Sequence, residues 1–374
     1  MKKKLLLFSI PFLFIVYSCS EKQENKESIK VDLNNRNEVS IFSIFSKIEI
    51  IPLETNDSSL IKAISKIIVD NDTLYILDNE MSKILVFNKS GNYLYSIDHK
   101  GRGPGEYTST SDINVFDDDL FVLSSLDNKL YIYTKSGDLK KTIHLPNIVG
   151  AYYSFVNINK DLIAFWTFDY DNRLKIYSHS TGQMIHEHFP DKDNIFTNIE
   201  MPIFPYDKYV SRVNNNTVYK ITDHGDIIEG YKWDFGKLNN THRMIKNAPK
   251  IKSQEDMIEN IDKINSSKII NYYFIRAGGN ARYIYTKLNR KNHHFNIFYD
   301  KLHKKSIVFD QTIENVQLFP LFWSDNYMIG FIPDIITEID NIIPDNILNE
   351  ENIQLKRNLS QFDNPILVKY YFKQ

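Results

Sequence analysis

The sequence predicts an all-β fold, a six-bladed β-propeller of four-stranded antiparallel blades closed by an N-terminal strand that pairs with the C-terminal blade. Three observations predict it. Residues 67–97 and 113–143 are one unit written twice, 46 positions apart: Ile67 falls on Ile113, Leu74-Tyr75-Ile76-Leu77 on Leu120-Phe121-Val122-Leu123, and Lys89-Ser90-Gly91 on Lys135-Ser136-Gly137. Each copy divides into four short runs of strand-forming residues with turn residues between them, and a strand-rich period of 40–50 residues is the signature of a propeller blade. Weaker copies follow at a similar spacing, with Gly182 standing 45 residues after Gly137 and Gly225 standing 43 after Gly182.

The elements follow in chain order. Met1-Lys2-Lys3-Lys4 and the apolar run from Leu5 to Tyr17 read as a secretory signal over residues 1–18, because 13 apolar residues are too few to span a bilayer. The single cysteine, Cys19, stands directly after it. Residues 19–38 are polar and charged, and are expected to be a flexible tether. The propeller is expected over 39–374, with Ile48–Leu53 packed beside Ile366–Phe372 to close the ring and remove its open edges.

In the first unit the strand candidates are Ile64–Val69, Leu74–Leu77, Ile84–Phe87 and Tyr93–Ile97. Asn71-Asp72, Asp78–Ser82 and Asn88–Gly91 supply the turns, using residues that tolerate left-handed backbone or bond their own main chain. The second unit repeats this pattern. The third shows Leu162–Phe165 and Leu174–Tyr177, the fourth Tyr209–Val213 and Val218–Ile221, the fifth Tyr283–Lys287, Phe295–Tyr299 and Ile307–Phe309, and the sixth Tyr327–Ile332 and Ile366–Phe372. Two insertions, near 238–268 and 340–361, read as loop plus helix; Met257–Ile264 has apolar residues at helical spacing. Inserted loops are expected on one face of the ring, the binding face.

Composition narrows the function class. Lys and Arg number 45 against 47 Asp and Glu, so no basic excess points to nucleic acid. A body without cysteine forms no disulfides and depends on packing.

Several segments carry a family resemblance. Val16-Tyr17-Ser18-Cys19 resembles the lipobox of bacterial lipoproteins, which implies lipidation at Cys19 and a membrane contact through that lipid only. Glu21 and Glu24 resemble the acidic export signal of Bacteroidetes surface lipoproteins. The linker Gly101-Arg102-Gly103-Pro104-Gly105-Glu106-Tyr107 looks like an NHL-type repeat linker. With Ile51-Pro52-Leu53-Glu54, Asp234-Phe235-Gly236 and Asn364-Pro365-Ile366-Leu367-Val368, it resembles the six-bladed propeller lipoproteins of Bacteroidetes. That resemblance implies a cell-envelope protein held at the outer membrane, periplasmic or surface-exposed.

The chemistry is sparser. The glycine-rich linker lacks the Gly-Lys-Ser/Thr of a P-loop and the spacing of a dinucleotide site, so its glycines are read as conformational. Arg102, Glu106 and Tyr107 stand on it as ligand-binding candidates. Asp78 with Asn79, Asp127 with Asn128, Asp169 with Asp171, and Asn214 occupy turns on the same face, where a ring of carboxylates would suit a divalent cation such as calcium in the central funnel. Trp166 and Trp323 are candidates for carbohydrate stacking. His186 and His188 lack a third ligand, and Asp234-Phe235-Gly236 lacks the partners of a kinase site. No catalytic residue set is complete. The expected function is a binding module for a glycan, peptide or envelope protein, with no required cofactor. The alternative is a propeller hydrolase or polysaccharide lyase using a funnel cation.

Overall fold

The computed structural model describes residues 27–34, 38–169, 171–190, 203–204, 208–211, 215–239, 255, 258–259, 270, 277–332, 339–340 and 342–373. They form six antiparallel blades in a ring. Blade 1 runs from its innermost strand Lys66–Asp70 through Thr73–Asp78 and Lys83–Asn88 to Tyr93–Ile97. Blade 2 repeats it with Asp112–Phe116, Asp119–Ser124, Lys129–Thr134 and Leu139–His144. Blade 3 holds Tyr152–Asn157, Leu162–Thr167, Leu174–Ser178 and Gln183–His188. Blade 4 holds Ile203–Phe204, Tyr209–Ser211, Thr217–Ile221 and Ile227–Asp234. Blade 5 holds Ala277–Gly279, Tyr283–Arg290, His293–Asp300 and Lys305–Phe309.

Blade 6 is composite. Its first three strands are Pro320–Trp323, Tyr327–Ile332 and Ile366–Phe372, and its outermost strand is Phe45–Ile51 from the N-terminal side of the chain. The two ends pair antiparallel from Phe45 opposite Phe372 to Ile51 opposite Leu367. Neighbouring motifs lock this joint. Asn364 is buried; its amide donates to the carbonyls of Glu54 (2.9 Å) and Ser59 (2.8 Å), and its oxygen accepts the Ile61 N–H at 2.8 Å. Segments 51–54 and 364–368 are thus the two sides of one seam.

Packing between blades explains the repeated glycines. Gly91, with φ +87°, turns under the end of the closing strand, where a Cβ would lie 2.1 Å from the Pro52 carbonyl oxygen; only glycine fits this approach. The Gly91 carbonyl accepts the Glu54 N–H at 2.8 Å, and one blade on the Gly137 carbonyl meets His99 Nε2 at the same distance. Around the axis, Lys66 Nζ of blade 1 pairs with Asp112 of blade 2 at 2.7 Å. The other Asp112 oxygen accepts the Phe155 N–H of blade 3 at 2.9 Å.

Each blade presents two kinds of end. First-to-second and third-to-fourth turns meet on one face, as where the Lys301 N–H donates to the Arg282 carbonyl and the His179 N–H to that of Asp161. Second-to-third turns and the connections between blades meet on the other, where the Ser125 N–H donates to Ser111 Oγ at 2.8 Å. We call these the turn face and the loop face.

Two expectations need correction. Residues 27–34 are no tether: Glu27–Lys30 is a fifth strand on blade 4, parallel to Ile227–Asp234, and Ile29, Val31 and Leu33 are buried between blades 4 and 5. Their alternation buries one side of an extended chain, which outweighs the charges between them. The helix of the second insertion does not lie among the loops of the loop face. This helix, Glu350–Arg357, lies against the closing strand, where Asn352 accepts the Ile50 N–H at 2.7 Å and covers an otherwise open edge. The reading of Met257–Ile264 as helix falls mostly outside the described residues, as do Cys19 and Asn214.

Asn364→Ala removes the partner of the buried Ser59 carbonyl and of the half-buried Ile61 N–H, while the Glu54 carbonyl keeps the Ser59 hydroxyl. Urea unfolding is expected to show a loss of about 2–4 kcal/mol. A loss within error would mean that the seam is held by its strands alone.

Candidate functional site

The sequence-predicted residues of the loop face are mostly spent on the fold. Asp78 is fully buried and accepts the N–H groups of Lys62 (2.6 Å), Ala63 (3.2 Å) and Met81 (3.0 Å), tying the incoming connection to the turn of blade 1. Asp127 does the same for blade 2, accepting Thr108 N–H (2.9 Å), Thr108 Oγ1 (2.8 Å) and Ser124 Oγ (2.6 Å). Asp169 accepts Asp171 N–H and pairs with buried Lys175 at 2.9 Å; Lys175 also reaches Glu187 at 3.1 Å. These carboxylates answer buried donors one by one and do not converge. Among the described residues no group of three or more His, Cys, Asp or Glu is placed to hold a metal ion.

The linker 101–107 rests on the outer half of blade 2. Tyr133 donates its hydroxyl to the Gly105 carbonyl at 2.9 Å and Tyr131 to that of Glu106 at 2.7 Å. Gly105, with φ +78°, would press a Cβ to 2.6 Å from Leu139. Tyr107 is wholly buried, edge-on to Tyr131, and desolvation pushes its phenol up to about 12, so it is an anchor and no ligand-binding residue. Glu106 is exposed and accepts the Gly103 N–H at 2.7 Å. Arg102 is exposed and makes no ion pair among the described residues.

The two tryptophans also need correction. Trp166 is 0% exposed in the seam between blades 3 and 4, 6.3 Å from the ring of Phe189. Trp323 is 5% exposed between blades 5 and 6, with Tyr285 at 5.4 Å and Phe372 at 5.3 Å. A strand-end position does not expose a side chain that points into the next blade. Neither ring offers a face to sugar.

The loop face does expose an apolar arc that its turn chemistry hides in the sequence. Phe362 is 77% exposed, Leu60 47%, Met81 39%, Leu126 77% and Val149 70%. Hydrogen bonds run through the loops that carry them. Asn364 binds Ile61 and Ser59 on either side of Leu60; Lys62 N–H reaches Asp78 in the turn of Met81; and Thr110 N–H reaches Ser82 Oγ. Ser125, beside Leu126, bonds to Ser111 and to the Tyr152 carbonyl, two residues past Gly150. The five side chains therefore follow one rim from blade 6 through blades 1 and 2 to blade 3. The only signal in the sequence is an apolar residue inside a polar turn, as at Leu126 between Ser125 and Asp127.

The family described as a domain of unknown function, DUF4934, matches residues 26–371. The chain belongs to that family. No curated protein matches it. Among solved structures, a protein of Bacteroides fragilis described as exported is 17% identical over 93% of this chain and 100% of its own, at TM-score 0.71. A DUF4221 member from Bacteroides vulgatus is 13% identical over 88% of this chain and 97% of its own, at 0.50. Virginiamycin B lyase from Staphylococcus aureus is 16% identical over 71% and 74%, at 0.39. At these identities the likeness shows the fold alone. Among the described residues of this DUF4934 domain no helix is long and apolar enough to cross a membrane.

The Asp127 carboxylate also makes stability depend on acid. Burial alone would raise the Asp127 carboxyl, but hydrogen bonds from Ser124 and Thr108 outweigh it and hold the group below the usual carboxylate range. Its stabilising contribution is complete above the unfolded value, near 3.9, and is lost as pH falls through the lower folded value. Asp127→Ala is expected to cost about 1–3 kcal/mol in urea unfolding at pH 7. The gap from the native chain should narrow below about pH 4. An equal gap at both pH values would show that the carboxylate charge plays no part.

Proposed function

We propose that this chain is a lipid-anchored binding module of the bacterial envelope, held at the outer membrane through Cys19, which captures a protein or peptide partner on its loop face. The observation that carries the reading is the exposed apolar arc from Phe362 to Val149. Scattered exposed leucines are ordinary, but five apolar side chains along one hydrogen-bonded rim make a patch of the kind that partners cover. A peptide or protein supports this better than a glycan, because Trp166 and Trp323 lie inside the seams. The enzymatic reading would draw on Asp78, Asp127 and Asp169, whose oxygens already serve main-chain or lysine donors. Arg102, exposed on the linker that we read as NHL-type, is a candidate for polar contact at the edge of the same partner.

Photo-crosslinkers at Leu126 and Phe362 in living cells test this. Both positions are expected to trap the same protein, while a crosslinker at Ile185 on the outer strand of blade 3 traps none. Met81→Glu should weaken capture about 10- to 100-fold, the worth of one buried apolar side chain. Cys19→Ser should move the protein out of the membrane fraction. Unrelated adducts at the two arc positions, or capture indifferent to Met81→Glu, would end the reading of the arc as a docking surface.

A further inference from the structure

The N-terminal strand fixes where the chain leaves the ring. Glu27, the first described residue, lies at the seam of blades 4 and 5, opposite Tyr231 midway along the outer strand of blade 4, in a cleft it shares with Lys301 of the turn face. Its carboxylate accepts the Tyr299 hydroxyl at 2.9 Å, and with Lys301, Gly278 and Gly279 it lines a cleft of about 80 Å³. Lys30 is held one strand further on, where its carbonyl accepts Ser306 Oγ at 2.8 Å. Seven residues separate Cys19 from Glu27. Eight Cα steps of at most about 3.6 Å therefore keep Cys19 within about 29 Å of this seam, whatever course they take.

Beside that exit stands a turn unlike the others of its face, Lys301-Leu302-His303-Lys304-Lys305. Leu302 is 72% exposed. Lys304 and Lys305 are exposed and make no ion pair among the described residues. The neighbouring carboxylates already accept hydrogen bonds, and Asp300 is paired with Arg282. Asp300 holds Arg282 at 3.1 Å and His303 at 2.9 Å, and its other oxygen accepts the Leu302 and His303 N–H groups, which fixes the turn. Glu27 is bonded to Tyr299, and Asp325 accepts the Ala281 N–H at 2.9 Å. What projects past them is one leucine flanked by cations.

We propose that this turn of blade 5 is a membrane-contact surface. Lys304 and Lys305 meet the phosphates of anionic lipid headgroups, Leu302 enters the interface, and the loop face with its apolar arc is turned away from the membrane, while Lys301 stays bonded to the Asn280 carbonyl. Two observations point to lipid as the occupant: the short reach of the chain from Cys19 to this corner, and the pairing of unmatched lysines with an exposed apolar tip. The attraction of a lysine to an anionic surface is too weak to hold the protein alone but enough to orient a protein already anchored. The inference rests on the lipid-anchor reading above.

The test uses the full lipidated chain in phosphatidylethanolamine–phosphatidylglycerol vesicles. With Cys19 lipidated, Leu302→Cys supplies a single free thiol for an environment-sensitive fluorophore, and Leu126→Cys supplies the same on the loop face. The label at 302 is expected to shift to the blue and be quenched several-fold more by headgroup spin-labelled lipid than the label at 126. Lys304→Glu with Lys305→Glu should abolish that difference while the protein still sediments with the vesicles. Sedimenting protein whose 302 label is quenched no more than the 126 label overturns the orientation and leaves the anchor standing. Protein that stays in the supernatant overturns the anchor, and the orientation falls with it.

Discussion

Every blade in this ring must bury both faces of its sheet, so the chain is stable only where its two ends meet. The pairing of Phe45–Ile51 with Ile366–Phe372 satisfies that constraint, and much of the rest of the structure serves it. Asn364 stitches the last strand to the connection that enters blade 1, and Asn352 seals the outer edge of the closing strand. A hydrogen-bonded blade that borrows one strand from each end has no open edge at the joint, and opening it would expose an aromatic cluster. Phe45 stands 5.3 Å from Tyr370 and 5.2 Å from Phe372 there, with Trp323 beside Phe372. The N-terminal strand adds a second clasp, since Ile29, Val31 and Leu33 fill the seam of blades 4 and 5.

Closure also divides the surface between two tasks. On the loop face, short polar side chains are drawn inward to satisfy turn backbones, so Asp78 and Asp127 act as internal caps. Apolar residues such as Leu126 and Phe362 are left pointing out. On the turn face, the cationic turn Lys301–Lys305 stands beside the cleft that Glu27 lines. A ring anchored as proposed on one face would present the apolar rim on the other to a partner.

Legibility in the sequence follows from how strongly packing constrains each position. Blades 1 and 2 could be read residue for residue because Leu74–Leu77 and Leu120–Leu123 fill equivalent seams and tolerate little change. Blade 4 could be read only by rhythm, since its inner strands are short. The strand at Glu27–Lys30 left a signal, the alternation of Ile29, Val31 and Leu33, but the surrounding charges obscured it. Trp166 and Trp323 could not be placed, because which neighbour a strand side chain faces depends on the twist of two sheets. The apolar arc was hidden for a related reason: Leu60, Met81 and Leu126 come from separate loops and share one face only when the ring closes.

Native-state hydrogen exchange on the strand Phe45–Ile51 tests the closure account most directly. Its amides bonded to Ile366–Phe372 should exchange with the same opening free energy as those of Asp119–Ser124 in the middle of blade 2, because releasing the joint unfolds the ring. If the closing strand exchanges through a separate, low-energy opening while blade 2 stays protected, the joint is an accessory and the ring holds together without it.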